Sequence, residues 1–135
     1  MTPRYRSRVS PCTREQARER RDQARAFLEV AEMLLTGDER EVHVATALAV
    51  LSGIAAAADA ICGLQLSKWS RGSDHGQAVE LLATVSLRDS ALPSKLRDLL
   101  GSKDEVHYSP RLVTLGRAKT MLREARALLA EAEVL

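Results

Sequence analysis

The chain reads as an all-α protein, an antiparallel up-and-down helical bundle of four to five helices. Three observations predict this. Hydrophobic residues make up 45% of the chain but aromatic residues only 3%, so a core must be assembled from Leu, Val and Ala, which favours close-packed helices over a β-sandwich. Apolar residues recur at helical spacing near both ends, as Ala17, Ala24, Phe27, Leu28, Ala31, Leu34 and Leu35, and as Leu115, Ala118, Leu122, Ala125, Leu129 and Ala132. Each set is the one-sided stripe of a helix with a single buried face. No segment carries the polar–apolar alternation of a half-buried strand. At 135 residues the chain supports one domain with one core.

Residues 1–12 hold Pro3, Pro11 and the spaced Arg4, Arg6 and Arg8 without periodicity, and read as a basic flexible tail ahead of a bundle at 13–135. Thr13 with Gln16 forms a capping-box pattern opening the first helix, and Gly37 suits its stop. Asp38 with Glu41 is a second such box. The helix it opens, roughly 38–68, is apolar nearly all round from Val44 to Leu66 and rich in Ala and Gly, as expected of a central helix surrounded by others. A polar break covers 67–76. Asp74, with Gln77 at the box position, is placed to cap a third, short helix bearing Ala78, Leu81, Leu82 and Val85. After a connection at 86–90, a fourth helix runs from Leu92 through Leu96, Leu99, Leu100 and Val106, weakened at Gly101. Ser109-Pro110 then reads as a cap and first-turn proline opening the last helix, roughly 110–134.

The apolar run Ala45–Leu66 is interrupted by Ser52, Gly53, Asp59, Cys62 and Gln65, which argues against a membrane span. The N-terminal stretch is charged and has no apolar core of a secretory signal. Cys12 and Cys62 make neither a disulfide framework nor a metal set. A cytoplasmic protein without metal or cofactor is expected. Residues 1–25 carry eight arginines against three acidic residues within a chain of net charge +2. Such an arm, with Arg14, Arg18 and Arg21 on its helical part, is a candidate for neutralising RNA phosphates. A solvated helix face is the alternative.

The residues that a Leu/Ala bundle does not need fall in two polar segments, Arg71–His75 and Lys103–Tyr108. Two of the three histidines, the one tryptophan and one of the two tyrosines lie in or beside them. His75 falls at the start of the third helix, where the helix dipole disfavours a charged imidazole and backbone N–H groups favour a phosphate. Arg71 lies just upstream. Lys103 and His107 are one turn apart on a shared face, followed by Tyr108. A cation, an imidazole and a phenol together suit phosphodiester cleavage, the imidazole moving protons and the cation holding the developing negative charge. Packing, snorkelling and helix-end capping are the structural alternatives. Asp59, set among alanines, needs a partner if buried, with Lys103, Arg97 or a histidine as candidates. His43 reads as a plain surface or boundary residue.

Three stretches resemble the HEPN superfamily (higher eukaryotes and prokaryotes nucleotide-binding domain), in particular the small prokaryotic members of toxin–antitoxin and defence loci. Ala47–Leu64, ALAVLSGIAAAADAICGL, is similar to its small-residue helix. Ser70–Leu82, SRGSDHGQAVELL, resembles its polar-histidine segment. Leu96–Pro110, LRDLLGSKDEVHYSP, resembles its Arg-x-x-Ala-Asp-Tyr segment, with Lys103 where Arg is usual, His107 where Asp is common, and Tyr108 matching. The resemblance covers roughly residues 20–132. It implies an antiparallel bundle, a homodimer and, in active members, metal-independent RNA cleavage by an Arg-x(4–6)-His pair. Here Arg71 and His75, and Lys103 and His107, are each separated by three residues, and Lys lacks the bidentate fork of Arg. The resemblance therefore implies either an RNA-cleaving protein using His107, His75, Lys103, Arg71 and Tyr108, or a non-catalytic module binding RNA, a nucleotide or a partner such as a nucleotidyltransferase antitoxin. An up-down order further predicts that His75, Lys103, His107 and Tyr108 lie at the same end of the bundle or meet across a dimer.

Overall fold

The computed structural model describes residues 9–71 and 75–135. The elements are β1 (Val9–Pro11), α1 (Arg14–Leu34), α2 (Glu39–Gly53), a π-helical segment (Ile54–Ile61), α3 (Cys62–Leu66), β2 (Lys68–Ser70), α4 (His75–Ala83), α5 (Leu92–Gly101), α6 (Lys103–Tyr108) and α7 (Leu115–Glu133). The fold is an all-α bundle with one small sheet.

Both capping boxes form. The Thr13 amide donates to Gln16 Oε1 at 2.9 Å, and the Gln16 amide to Thr13 Oγ1 at 3.0 Å. The Asp38 amide donates to Glu41 Oε1 and the Glu41 amide to Asp38 Oδ1, each at 2.9 Å. These bonds satisfy amides that a helix start leaves open. Gly37 does not take a left-handed conformation. A Cβ there would collide with the Glu41 carboxylate, so the glycine makes room for the second box.

α2, the π segment and α3 form one continuous helix, Glu39–Leu66. It packs between α1 and α7, and α5 closes over α7. Ala45, Ala49, Val50, Ala55, Ala56, Ala57, Ala60 and Ile61 are fully buried along it, so small side chains bring the neighbouring helices close. At Gly63 the approach is extreme, because a Cβ would stand 2.6 Å from Cys12 Sγ and 2.8 Å from Ala17 Cβ. By length and composition this helix could cross a membrane, but 72% of its most apolar window is buried inside the bundle.

The structure corrects the sequence reading in four places. Val9–Pro11 is not part of a tail. It pairs antiparallel with Lys68–Ser70, Ser10 opposite Trp69, and Cys12 behind it is buried. Ser67 makes this possible. Its left-handed backbone (φ 58°, ψ 24°) ends α3, and its carbonyl accepts from the Cys12 amide at 2.9 Å. The fourth predicted helix divides at Ser102 into α5 and α6, next to the weak Gly101. The last helix starts not at Pro110 but at Leu115, where the Thr114 hydroxyl caps the Arg117 amide at 3.2 Å. The chain before it is held extended because the Val113 side chain is buried and its amide bonds to His43. Leu115, placed on the buried stripe by spacing, is 47% exposed. Arg4, Arg6, Arg8 and the expected cap Asp74 lie outside the described residues.

Candidate functional site

The π segment, Ile-Ala-Ala-Ala-Ala-Asp-Ala-Ile, contains a single charged residue, Asp59, only 2% exposed. Hydrogen bonds in π geometry close one residue later than in an α-helix, a widening often found at functional sites. A buried carboxylate is costly unless paired and hydrogen-bonded, and two arginines supply the partners. From α1, Arg20 Nε donates to Asp59 Oδ2 at 2.6 Å. From the end of β2, Arg71 Nη1 donates to Asp59 Oδ1 at 3.1 Å. Burial pushes the Asp59 carboxyl up from its ordinary value, and the two guanidinium groups pull it back.

The partners expected for Asp59 were Lys103, Arg97 or a histidine, and none of these fills the role. Arg20, not its neighbours Arg14, Arg18 and Arg21 on α1, holds the carboxylate. Its signal was present: Arg20 lies three residues after Ala17 and four before Ala24, both fully buried, so it sits on the inward stripe. Arg20 also bonds Gln23 through Nη1. The Arg71 guanidinium lies over the Trp69 ring, 4.4 Å from its centroid, the geometry of a cation–π contact.

His75, at the first turn of α4, lines the same hollow as Arg20, Asp59, Ser70 and Arg71, a cavity of about 170 Å³. Its Nε2 lies 3.0 Å from Lys103 Nζ at the start of α6. An ammonium only donates, so in this contact the Lys103 ammonium donates to Nε2. The two polar segments thus meet. Among the described residues, the hollow is lined by the cations Arg20 and Arg71 and the carboxylate of Asp59, with Lys103 behind His75, an arrangement able to take an anion.

The other candidates are distributed elsewhere. His107 follows Lys103 by one turn, yet its Nε2 is buried with no hydrogen-bond partner among the described residues. Its ring is tilted against Tyr108, centroids 6.1 Å apart, and Tyr108 is 78% exposed. Neither residue lines the hollow. Arg14 and Arg18 are exposed on α1, and Arg21 Nε lies 3.6 Å from Asp22; these three do not line the hollow either.

His43 proves to be a tie rather than a plain surface residue. Its Nδ1 accepts from the Val113 amide at 3.0 Å, and its Nε2 therefore donates to the Val106 carbonyl at 2.7 Å. Cys12 and Cys62 are buried free thiols, and burial pushes Cys62 up to about 12. No cluster of three or more His, Cys, Asp or Glu placed to hold a metal occurs among the described residues.

Fold and site together define an all-α bundle with a basic, histidine-bearing hollow beside its small sheet. No family model matches the chain, and neither a curated protein nor a solved structure matches it.

Proposed function

We propose that the protein is a HEPN-like, metal-independent RNA-cleaving protein of toxin–antitoxin or defence type, acting on single-stranded RNA at the hollow lined from α1, the π segment, β2 and α4, with Lys103 of α6 beside it. The observation that carries this reading is the Lys103–His75 contact of 3.0 Å beside Arg71. The imidazole presents Nε2 as a proton acceptor next to two kinds of cation. When a phosphate enters, the Lys103 ammonium passes from His75 to a phosphoryl oxygen. His75 Nε2 then takes the proton of the adjacent ribose 2′-hydroxyl. The 2′-oxygen attacks phosphorus, the bond to the 5′-oxygen breaks, and that oxygen takes a proton from water, whose hydroxide in turn recovers the proton from His75. Arg71 and Lys103 neutralise the charge gathering on the phosphoryl oxygens. Catalysis falls to His75, Lys103 and Arg71, and His107 and Tyr108 are left at the margin.

The test is incubation of single-stranded RNA with the protein in EDTA. Fragments ending in 2′,3′-cyclic phosphate are expected, and His75→Ala and Lys103→Ala should abolish them while leaving the melting temperature nearly unchanged. RNA that binds but stays intact favours the second reading, a non-catalytic RNA-binding module. That reading draws on the pairing of Arg20 and Arg71 with Asp59, which commits both arginines to holding structure. A cytoplasmic homodimer, opposed by a nucleotidyltransferase-like antitoxin, belongs to the same proposal. Light scattering that shows only a 14.8 kDa species at micromolar concentration would remove the dimer.

A further inference from the structure

We infer that Trp69 is a stacking platform for an RNA base adjoining the phosphate held at His75, so that the ligand is single-stranded RNA of at least two nucleotides. This rests on the RNA reading above. Three hollows run in series across this face. The phosphate-sized one, about 170 Å³, shares Arg20 with a wider hollow of about 380 Å³ lined by Glu15, Gln16, Glu19 and Trp69. On its other side it shares His75 with a third, also about 380 Å³, which includes Val79, Arg97 and Leu100.

Charge and chemistry sort what each can take. The central hollow is cationic and small, matched to a phosphate. The Trp69 hollow carries Glu15 and Glu19, which repel a phosphate, and the Trp69 indole, which carries the Arg71 guanidinium on one face and would receive a base on the other. Arg71 joins the two, since its guanidinium both bonds Asp59 and lies over the Trp69 ring. A ribose bridging them would place its base on the indole. The third hollow offers apolar Val79 and Leu100 with Arg97 to the next nucleotide.

Trp69 is the one tryptophan of the chain, so its fluorescence reports the stacking directly. A short single-stranded RNA should quench it, whereas ribose 5-phosphate, which has no base, should not. Binding measured separately by anisotropy of labelled RNA should weaken about five- to a hundredfold in Trp69→Leu, the range of base–aromatic stacking, and be largely kept in Trp69→Phe. RNA binding without quenching, with Trp69→Leu unchanged, overturns the platform but leaves the RNA reading intact. Equal quenching by ribose 5-phosphate also overturns it. Absence of RNA binding in the wild-type protein overturns both.

Discussion

Nε of Arg20 lies 2.6 Å from Oδ2 of Asp59, a residue 39 positions later in the chain. This bond fastens the inward face of α1 to the π segment and supports the pair that Asp59 makes with Arg71. Replacing Asp59 by Asn keeps the shape and removes the charge. Breaking a buried pair costs about 3–5 kcal/mol. Arg20 and Arg71 have side chains 27% and 47% exposed and can turn to water, which reduces the cost. Asp59→Asn should destabilise the protein by about 2 kcal/mol in urea unfolding. No measurable change would remove Asp59 as the organiser of the hollow.

Gly63→Ala should destabilise by about 1–3 kcal/mol through overpacking. In an open helix the same exchange stabilises by up to about 1 kcal/mol, so the sign itself decides the matter. The new methyl would meet Cys12 Sγ and Ala17 Cβ inside van der Waals contact. A raised melting temperature would show that α1 and α3 are less closely packed than described.

His43→Ala should remove two bonds at once, leaving the Val106 carbonyl and the Val113 amide without their partner. Lost hydrogen bonds with partial desolvation amount to about 2–3 kcal/mol here. Hydrogen exchange should quicken at the Val113 amide before the core amides of α2 change. Uniform loss of protection would argue against a local tie.

Glu124 on α7 stands close to Asp98 on α5, and its Oε1 atom is buried without a hydrogen-bond partner among the described residues. Burial, with a hydrogen bond to Asp98 and the nearby charge of that residue, raises the Glu124 carboxyl from 4.5 to about 7, against the opposing pull of Arg117 and Lys95. Between those values the folded protein keeps a proton that the unfolded chain has released. Stability must therefore fall as pH rises through that window. Urea midpoints measured across it should decline in the wild-type protein and decline less in Glu124→Gln. Identical slopes in the two proteins would refute the assignment.

The bundle was legible because its signals are local. The Thr13–Gln16 and Asp38–Glu41 boxes each span four residues, and the Ala-rich run announces burial through its own composition. Of the meeting of Arg71–His75 with Lys103–Tyr108 expected from helix order, the structure shows the His75–Lys103 contact, while His107 and Tyr108 do not line the hollow. What escaped the sequence depends on residues far apart. Asp59 plainly needed a partner, but choosing Arg20 over Lys103 requires knowing which face of α1 meets the π segment. The β1–β2 pair joins two three-residue pieces too short to show alternation, and it hinges on the backbone of Ser67. Ser109-Pro110 carries a sound local signal for a helix start, overridden by the burial of Val113 and its bond to His43.

The π segment has a consequence for how this chain tolerates change. Each of its hydrogen bonds closes one residue later than an α-helical bond, so Ile54–Ile61 holds surplus residues along its axis, as a short insertion into a regular helix would leave behind. The flanks are too tightly packed to slide and absorb it. Inserting one further residue, with no slack left to absorb it, would rotate everything after it by about 100°. Gly63 would turn away from Cys12 and Ala17, and β2 would carry Arg71 off Asp59. Exchanging an alanine for another small residue leaves that phase untouched. The hollow is therefore sensitive to reading length through Ile54–Ile61 more than to the identity of its alanines, and inheritance along a lineage should preserve the spacing from Gly53 to Arg71 even where the letters between them drift.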